Sequence, residues 1–280
     1  MQELRGRVAV VTGGGSGIGR GLCQAFAEEG MQVVVADIEL GAAQETVQLL
    51  GGKVRALAVQ SDVASPASVE ALAGRVVSEL GGVHLLCNNA GVLVNKPAVE
   101  TTWEDLRWTL SVNIEGVANG VRAFVPRMRA QGGEAHIVNT SSIAGMAPLD
   151  SQGLAAYSAS KAAVAAFSEV LRRELEPERI GVSVLLPGRV PTTRISQAAR
   201  NRPAELGGPA PADPAQTARR AAIAELKTME PIEVARKVVL GVRANRLYIL
   251  ADPERRNAPE GRHRRMSEDF DASAAEARTR

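Results

Sequence analysis

The sequence predicts an α/β protein built as one doubly wound, seven-stranded parallel sheet with helices on both faces. Short runs rich in Val and Leu recur between longer segments of helical periodicity. A glycine-rich turn joins the first such run to the first helical segment. The interior is aliphatic: hydrophobic residues make up 45% of the 280, against two Trp, two Tyr and four Phe. That composition suits strands buried under helices on both sides.

Taken in order, residues 8–11 and 33–36 read as strands around a helix over 18–29, a βαβ start. Strands follow at 54–59, 84–87, 136–139, 181–186 and 247–250, each after a plausible helix, making seven in parallel. In a sheet of this kind the ligand site lies beyond the carboxyl ends of the strands, where the strand order reverses. The chain reads as a single catalytic domain over 1–252. Two stretches break the rhythm. Residues 195–228 are rich in Pro, Ala and Gly, follow a strand end directly, and read as a mobile lid. Residues 253–280 read as a charged tail or subunit arm, in which Arg262-His263-Arg264-Arg265 precedes Glu268-Asp269-Phe270-Asp271.

The formal net charge of +2 is spread along the chain, and 23% of residues are charged. That argues against a nucleic-acid or membrane-surface role and for a small-molecule partner. Cys23 and Cys87 lie far apart in apolar surroundings and are expected buried and reduced. No apolar run has the length of a membrane span, and the polar N-terminal residues lead directly into a strand, so a cytoplasmic location is expected. His84, His136 and His263 have no spacing that suggests a metal site, and no metal is expected.

Thr12-Gly13-Gly14-Gly15-Ser16-Gly17-Ile18-Gly19 follows the first strand and opens the first helix. Glycines let the backbone turn tightly against a pyrophosphate, and the helix N-terminus offers unpaired N–H groups to its charge. Asp37, ending the second strand, is placed to accept hydrogen bonds from the adenosine ribose and to repel a 2′-phosphate. No Lys or Arg stands beside it in sequence. Arg20 is near, but a helix can carry its side chain outward. NAD is therefore preferred over NADP. Asp62-Val63 and Asn88-Asn89-Ala90-Gly91 close the third and fourth strands with small polar groups for the adenine and ribose, although turn chemistry alone also explains them.

Tyr157-Ser158-Ala159-Ser160-Lys161 opens an Ala-rich helix, and a spacing of four sets Tyr157 and Lys161 on one face. Such a pair is common and usually structural; the glycine loop upstream changes its meaning. A phenol titrates near ~10, so a base useful near neutrality needs a shift of roughly 2–3 units, about 3–4 kcal/mol. A neighbouring ammonium can contribute to it.

With these motifs the chain resembles the short-chain dehydrogenase/reductase family, in its single-domain branch with an NAD(P)-binding Rossmann fold. The resemblance runs from Arg7 to about Leu250. It rests on the glycine loop, Asn88-Asn89-Ala90-Gly91, Asn113 in Ser-Val-Asn-Ile, Ser142 in Ser-Ser-Ile-Ala-Gly, Tyr157 with Lys161, and Pro187-Gly188 with Thr192. It implies that Tyr157 exchanges a proton with the substrate oxygen, Ser142 polarises that oxygen, Lys161 binds the nicotinamide ribose, and Asn113 holds a water behind Lys161. Val190 and Thr192 would clasp the carboxamide. The expected reaction is hydride transfer between a secondary alcohol and its ketone, and the expected assembly a homotetramer or homodimer. An NADPH-dependent ketone reductase and an NAD-binding sensor or assembly subunit without turnover are the alternatives.

Between Ser142 and Tyr157 the chain is a residue or two longer than many members, which makes 146–152 an expected substrate wall. Leu93, Met146, Leu149, Leu154 and Ile195 suggest a hydrophobic or aromatic substrate, with core packing an equal explanation. The stretch from Asn113 to Arg129 and the long lid resemble bacterial dehydrogenases acting on aryl-substituted alcohols, such as those of lignin-derived ether breakdown.

Overall fold

The computed structural model describes residues 1–147, 153–188, 190, 193–211 and 229–278. Seven strands form one parallel sheet in the order β3-β2-β1-β4-β5-β6-β7: β1 Val8–Thr12, β2 Gln32–Asp37, β3 Ala56–Gln60, β4 Leu85–Asn88, β5 Ala135–Thr140, β6 Ile180–Leu186 and β7 Tyr248–Leu250. The strand order reverses between β1 and β4, whose register pairs Val11 with Cys87. The two strand ends part there and open a crevice.

Successive strand residues point to opposite faces, and two cores result. Ala9, Val11, Val33 and Val35 pack on one face against Leu22 and Phe26 of α1 (Gly17–Glu28) and Val234, Val238 and Val242 of α8 (Pro231–Arg243). Val8, Val10, Val34 and Ala36 pack on the other against Leu72 and Val76 of α3 (Pro66–Leu80), Phe124 of α5 (Gly116–Gln131) and Leu171 of α7 (Ala155–Leu175). Phe26 and Phe124 are fully buried, and each such side chain contributes roughly 1.5–3 kcal/mol by leaving water. Cys23 and Cys87 are both buried and unbridged, as expected.

Helix α2 (Leu40–Leu49) connects β2 to β3. A continuous helical rod runs from α4 (Trp103–Leu110) through a π-turn at Ser111–Glu115 into α5. A π-turn inserts an extra residue and re-aims the side chains it carries; here it carries Asn113. A short α6 (Ile143–Met146) follows β5.

The segment 253–280 contains a helix, α9 (Asn257–Arg278), with no buried residue. Arg256, just before it, pairs with Glu260, and Arg264 pairs with Glu268 at i,i+4, contacts that support an exposed helix. Among the described residues of the expected lid, 3₁₀ turns form at Ile195–Asn201 and Ala204–Leu206; residues 212–228 lie outside the described residues. No helix among the described residues is long and apolar enough to cross a membrane.

Candidate active site

A cleft of about 360 Å³ lies across the carboxyl ends of β1, β2, β4 and β5. Its lining includes Gly13, Ser16, Gly17, Ile18, Asp37, Asp62, Val63, Asn89, Ala90 and Gly91, together with Ser142, Tyr157, Lys161, Pro187, Gly188 and Val190. Thr12, Gly19 and Asn113 stand behind this wall. Thr192 lies outside the described residues.

The phosphate loop is shaped by backbone crowding. Gly13 has φ +63°, and a Cβ there would sit 2.9 Å from the Ala90 Cα; one on Gly19 would meet the Gly13 carbonyl oxygen at 2.0 Å. Only glycine at both positions lets α1 start tight against the β4 turn. Ser16 caps α1 in extended conformation, and its side chain makes no capping bond to the helix. Thr12 braces the loop from behind: its Oγ1 accepts from the N–H groups of Asn89 (3.0 Å) and Ala90 (3.2 Å), and Asn89 Nδ2 donates to its carbonyl at 3.0 Å.

Asp37 takes two backbone bonds, from Gly15 N–H at 2.8 Å and Glu39 N–H at 3.0 Å. It therefore pins the glycine loop from beneath as well as facing the cleft. Burial pushes its carboxyl above the ordinary value, against the pull of those two bonds. Arg20, as expected, does not line the cleft. Its guanidinium folds back onto the Gly15 carbonyl (2.6 Å) and pairs with Glu45 (2.9 Å), away from the cleft.

Tyr157 and Lys161 lie one turn apart on α7, with the Lys161 Nζ 5.8 Å from the phenol ring centre. Burial lowers the lysine to about 8, and its ammonium donates to the Thr140 carbonyl at 2.8 Å. Burial raises the Tyr157 phenol, while the neighbouring Ser142 hydroxyl pulls it down. The adjacent serines have separate roles: Ser141 Oγ is buried and donates to the Lys161 carbonyl at 2.6 Å, whereas Ser142 caps α6 beside the phenol.

Asn113 sits fully buried. Its Oδ1 accepts from Val92 N–H at 2.8 Å, and its Nδ2 donates to Val92 O at 3.0 Å and to Ser160 Oγ at 2.9 Å. Ser160 Oγ in turn donates to the Tyr157 carbonyl at 2.7 Å. Both amide hydrogens are thus spent on protein groups, so the side chain has only the second lone pair of Oδ1 for the expected water. Gly91 lies where a Cβ would come within 3.2 Å of that oxygen and 3.4 Å of Lys161 Nζ. Ser160 lies one turn after Tyr157 on the same helix, and in sequence it reads as an ordinary small residue of an Ala-rich helix because its partner Asn113 is 47 residues away.

The apolar end of the cleft differs from its expected wall. Ile195 lines it as expected, but its companions are Val92, Trp108, Val112 and Ala198. Met146 packs instead against the cluster of Ile143, Ala165, Val184 and Leu186, and neither Leu93 nor Leu154 lines the cleft. Leu149, with the rest of 148–152, lies outside the described residues. Trp108 escaped because one aromatic on an amphipathic helix reads as core.

Two carboxylates tie residues 200–202 to the body of the domain. Asp105, fully buried at the start of α4, receives Lys96 Nζ and Arg202 at 2.6 Å each and Thr102 N–H at 3.1 Å. Burial would raise it, but those bonds and the Lys96 charge outweigh burial and hold it at about 2. Arg202 also lies 5.3 Å over the Trp108 ring. Glu39, just past β2, receives Arg200 and Asn201 at 2.6 Å each. These partners are about 100 and 160 residues apart in the chain. No local sequence pattern marks such a pairing.

A family model for short chain dehydrogenase matches residues 7–203. The chain belongs to that family. This dehydrogenase is 35% identical over 262 residues to the C alpha-dehydrogenase of Sphingobium sp. (strain NBRC 103272 / SYK-6), covering 93% of this chain and 85% of that one. It is 39% identical over 196 residues to a 1-deoxy-11-beta-hydroxypentalenate dehydrogenase of Streptomyces exfoliatus, covering 69% of this chain and 70% of that one. Its fold matches the crystal structure of a short-chain dehydrogenase/reductase from Burkholderia phymatum in complex with NAD, with TM-score 0.88, 37% identity, and 96% and 97% of the two chains covered. It is thus an oxidoreductase of a family that binds NAD(P).

Proposed function

We infer that this dehydrogenase interconverts a secondary alcohol and its ketone, with NAD as cofactor and a hydrophobic or aromatic-bearing substrate. The observation that carries the reading is that Tyr157, Ser142 and Lys161 line the same cleft as the glycine loop. A dinucleotide fits the residues present: the N-terminus of a 12-residue helix faces the cleft over a loop with no room for a Cβ at Gly13 or Gly19, and the Asp37 carboxylate stands beside it. The nicotinamide supplies a two-electron hydride acceptor or donor when bound.

In the oxidative direction Tyr157, as phenolate, takes the hydroxyl proton while the carbinol C–H bond gives up its hydride, leaving the oxygen doubly bonded to carbon. In reduction the phenol returns that proton to the carbonyl oxygen. Ser142 donates to the same oxygen and stabilises the charge on it without a metal. Since burial works against a phenolate here, Lys161 must supply positive charge, and it does so only below its own value of about 8. Asn113 and Ser160 hold the first turn of α7 and the Val92 backbone in register, and so act as positioning residues.

The substrate class rests on Val92, Trp108, Val112, Ile195 and Ala198 at one end of the cleft. The name of the Sphingobium relative agrees with a carbinol beside a larger group. An NADPH-dependent reading has one observation in its favour, Arg194 and Arg200 in the cleft lining. A panel of aryl and alkyl secondary alcohols and ketones, each with both cofactors and followed by reduced-nicotinamide absorbance, tests all three parts. Turnover with NAD and aryl carbinols is expected; no turnover with any member would defeat the reading.

A further inference from the structure

We propose that Glu39 is a specificity-determining residue for the dinucleotide, holding Arg194 and Arg200 in ion pairs and so denying them to a 2′-phosphate. This deepens, and rests on, the NAD reading above. Sequence proximity puts no cation near Asp37, yet the fold brings two to the same end of the cleft. Arg200 Nε lies 2.6 Å from Glu39 Oε1 and Arg194 Nη1 lies 3.9 Å from Glu39 Oε2. Arg194, Arg200 and Asp37 all line the cleft. Arg200 is close enough for its charge to act on Asp37, the expected ribose acceptor, as well as on Glu39.

Left alone, an arginine at this place is the group that recognises a phosphate best, through a planar fork of donors. Glu39 takes that fork. Asn201 Nδ2 also donates to Oε1 at 2.6 Å, so three side chains from residues 194–201 converge on one carboxylate. Burial pushes that carboxyl up, but the bonds from Asn201 and Arg200 and the charges of Arg200 and Arg194 hold it below its ordinary value, so it stays ionised near neutrality. Asp37 and Glu39 then divide the work: the first refuses the 2′-phosphate directly, and the second withdraws the cations that would welcome it. Glu39 is two residues past β2 and its own N–H is tied to Asp37, so the two carboxylates are fixed relative to each other.

The rival explanation is that the cluster merely straps the lid down. A strap would affect both dinucleotides alike, whereas a selector changes their ratio. The experiment is a fluorescence titration of the full chain with NADH and NADPH, for the parent, Glu39→Gln, Arg194→Ala/Arg200→Ala, and the triple variant. The parent ratio tests the NAD reading by itself: a parent that binds NADPH more tightly defeats that reading whatever Glu39 does. For the proposal, Glu39→Gln is expected to move the affinity ratio toward NADPH by at least about tenfold. The double arginine variant should stay within about twofold of the parent ratio, and the triple variant should lose the gain, since the coupling lies between these groups. Glu39→Asp, which keeps the charge, should retain the parent preference and covers the case of a poorly folded Gln variant. An unchanged ratio in Glu39→Gln, or a gain that survives removal of both arginines, overturns the proposal.

Discussion

Asp105→Ala tests whether the substrate end of the cleft is held by a buried ion-pair cluster. The carboxylate has no exposure, Arg202 keeps only 13% of its side-chain exposure, and Lys96 keeps 44%. Removing the carboxylate costs little on the Lys96 side, under about 1 kcal/mol, because that ammonium can rehydrate. Arg202 cannot move freely to water while it covers Trp108, and an uncompensated buried charge costs about 3–5 kcal/mol. The low end applies, since Arg202 retains a bond to the Leu206 carbonyl. Asp105 also closes the capping box with Thr102 at the start of α4, and a lost cap adds about 1 kcal/mol. The expected total is about 4 kcal/mol, a large part of the usual stability of about 5–15 kcal/mol. Urea unfolding at one fixed protein concentration measures it, because assembly would shift the midpoint with concentration. Asp105→Asn, which keeps an acceptor for Thr102 N–H but no charge, should lose about half as much. Since Trp108 and Ala198 line the cleft, KM for the substrate should rise about tenfold in either variant while NADH affinity stays within about twofold. A loss under about 1 kcal/mol for the alanine variant would refute the view that the Arg202 pair is shielded from water.

Other outcomes follow from the same geometry. Tyr157→Phe should abolish nearly all turnover and leave NAD affinity near that of the parent by titration; retention of more than about a tenth of the activity, a loss under about 1.4 kcal/mol, would show that another group moves the proton. Lys161→Ala should weaken NAD binding and displace the remaining pH–rate profile to higher pH, and an unshifted profile would remove the lysine from the proton chemistry. Asp37→Ala should lower NAD-over-NADP selectivity at least about tenfold in kcat/KM, and an unchanged ratio would mean that Asp37 matters only for the glycine loop it pins. His136 is buried, and burial, with smaller effects from the N-terminal ammonium and Arg172, holds it down at about 3. It is neutral in the fold and takes up a proton more readily when unfolded, so its contribution is intact above the unfolded value of about 6.5 and declines as pH falls toward about 3. His136→Gln should flatten the fall of stability between about pH 6 and pH 4 in urea titrations; parallel curves would show that the imidazole is not the group responsible.

The fold and the clustering of the candidate site were legible in the sequence because both are written locally. Continuous apolar runs mark strands buried on both faces, a glycine loop has one workable geometry at a strand-to-helix turn, and a spacing of four sets Tyr157 and Lys161 on one helix face whatever surrounds them. The seven strands and the residues at their carboxyl ends follow from such short-range rules, whereas the reversal between β1 and β4 is a matter of strand order that only the fold supplies. The tertiary structure decided what depends on groups distant along the chain. It brought Arg194 and Arg200 to Glu39 beside Asp37, and Arg202 to Asp105 beneath Trp108. It turned Asn113 inward through a π-turn so that its amide serves Val92 and Ser160, and it replaced the expected wall of Leu93, Met146 and Leu154 with Val92, Trp108, Val112 and Ala198. Ion pairs and pocket walls of this kind carry no sequence period: their energy depends on distance and on exclusion of water, and both are set only when the chain is packed.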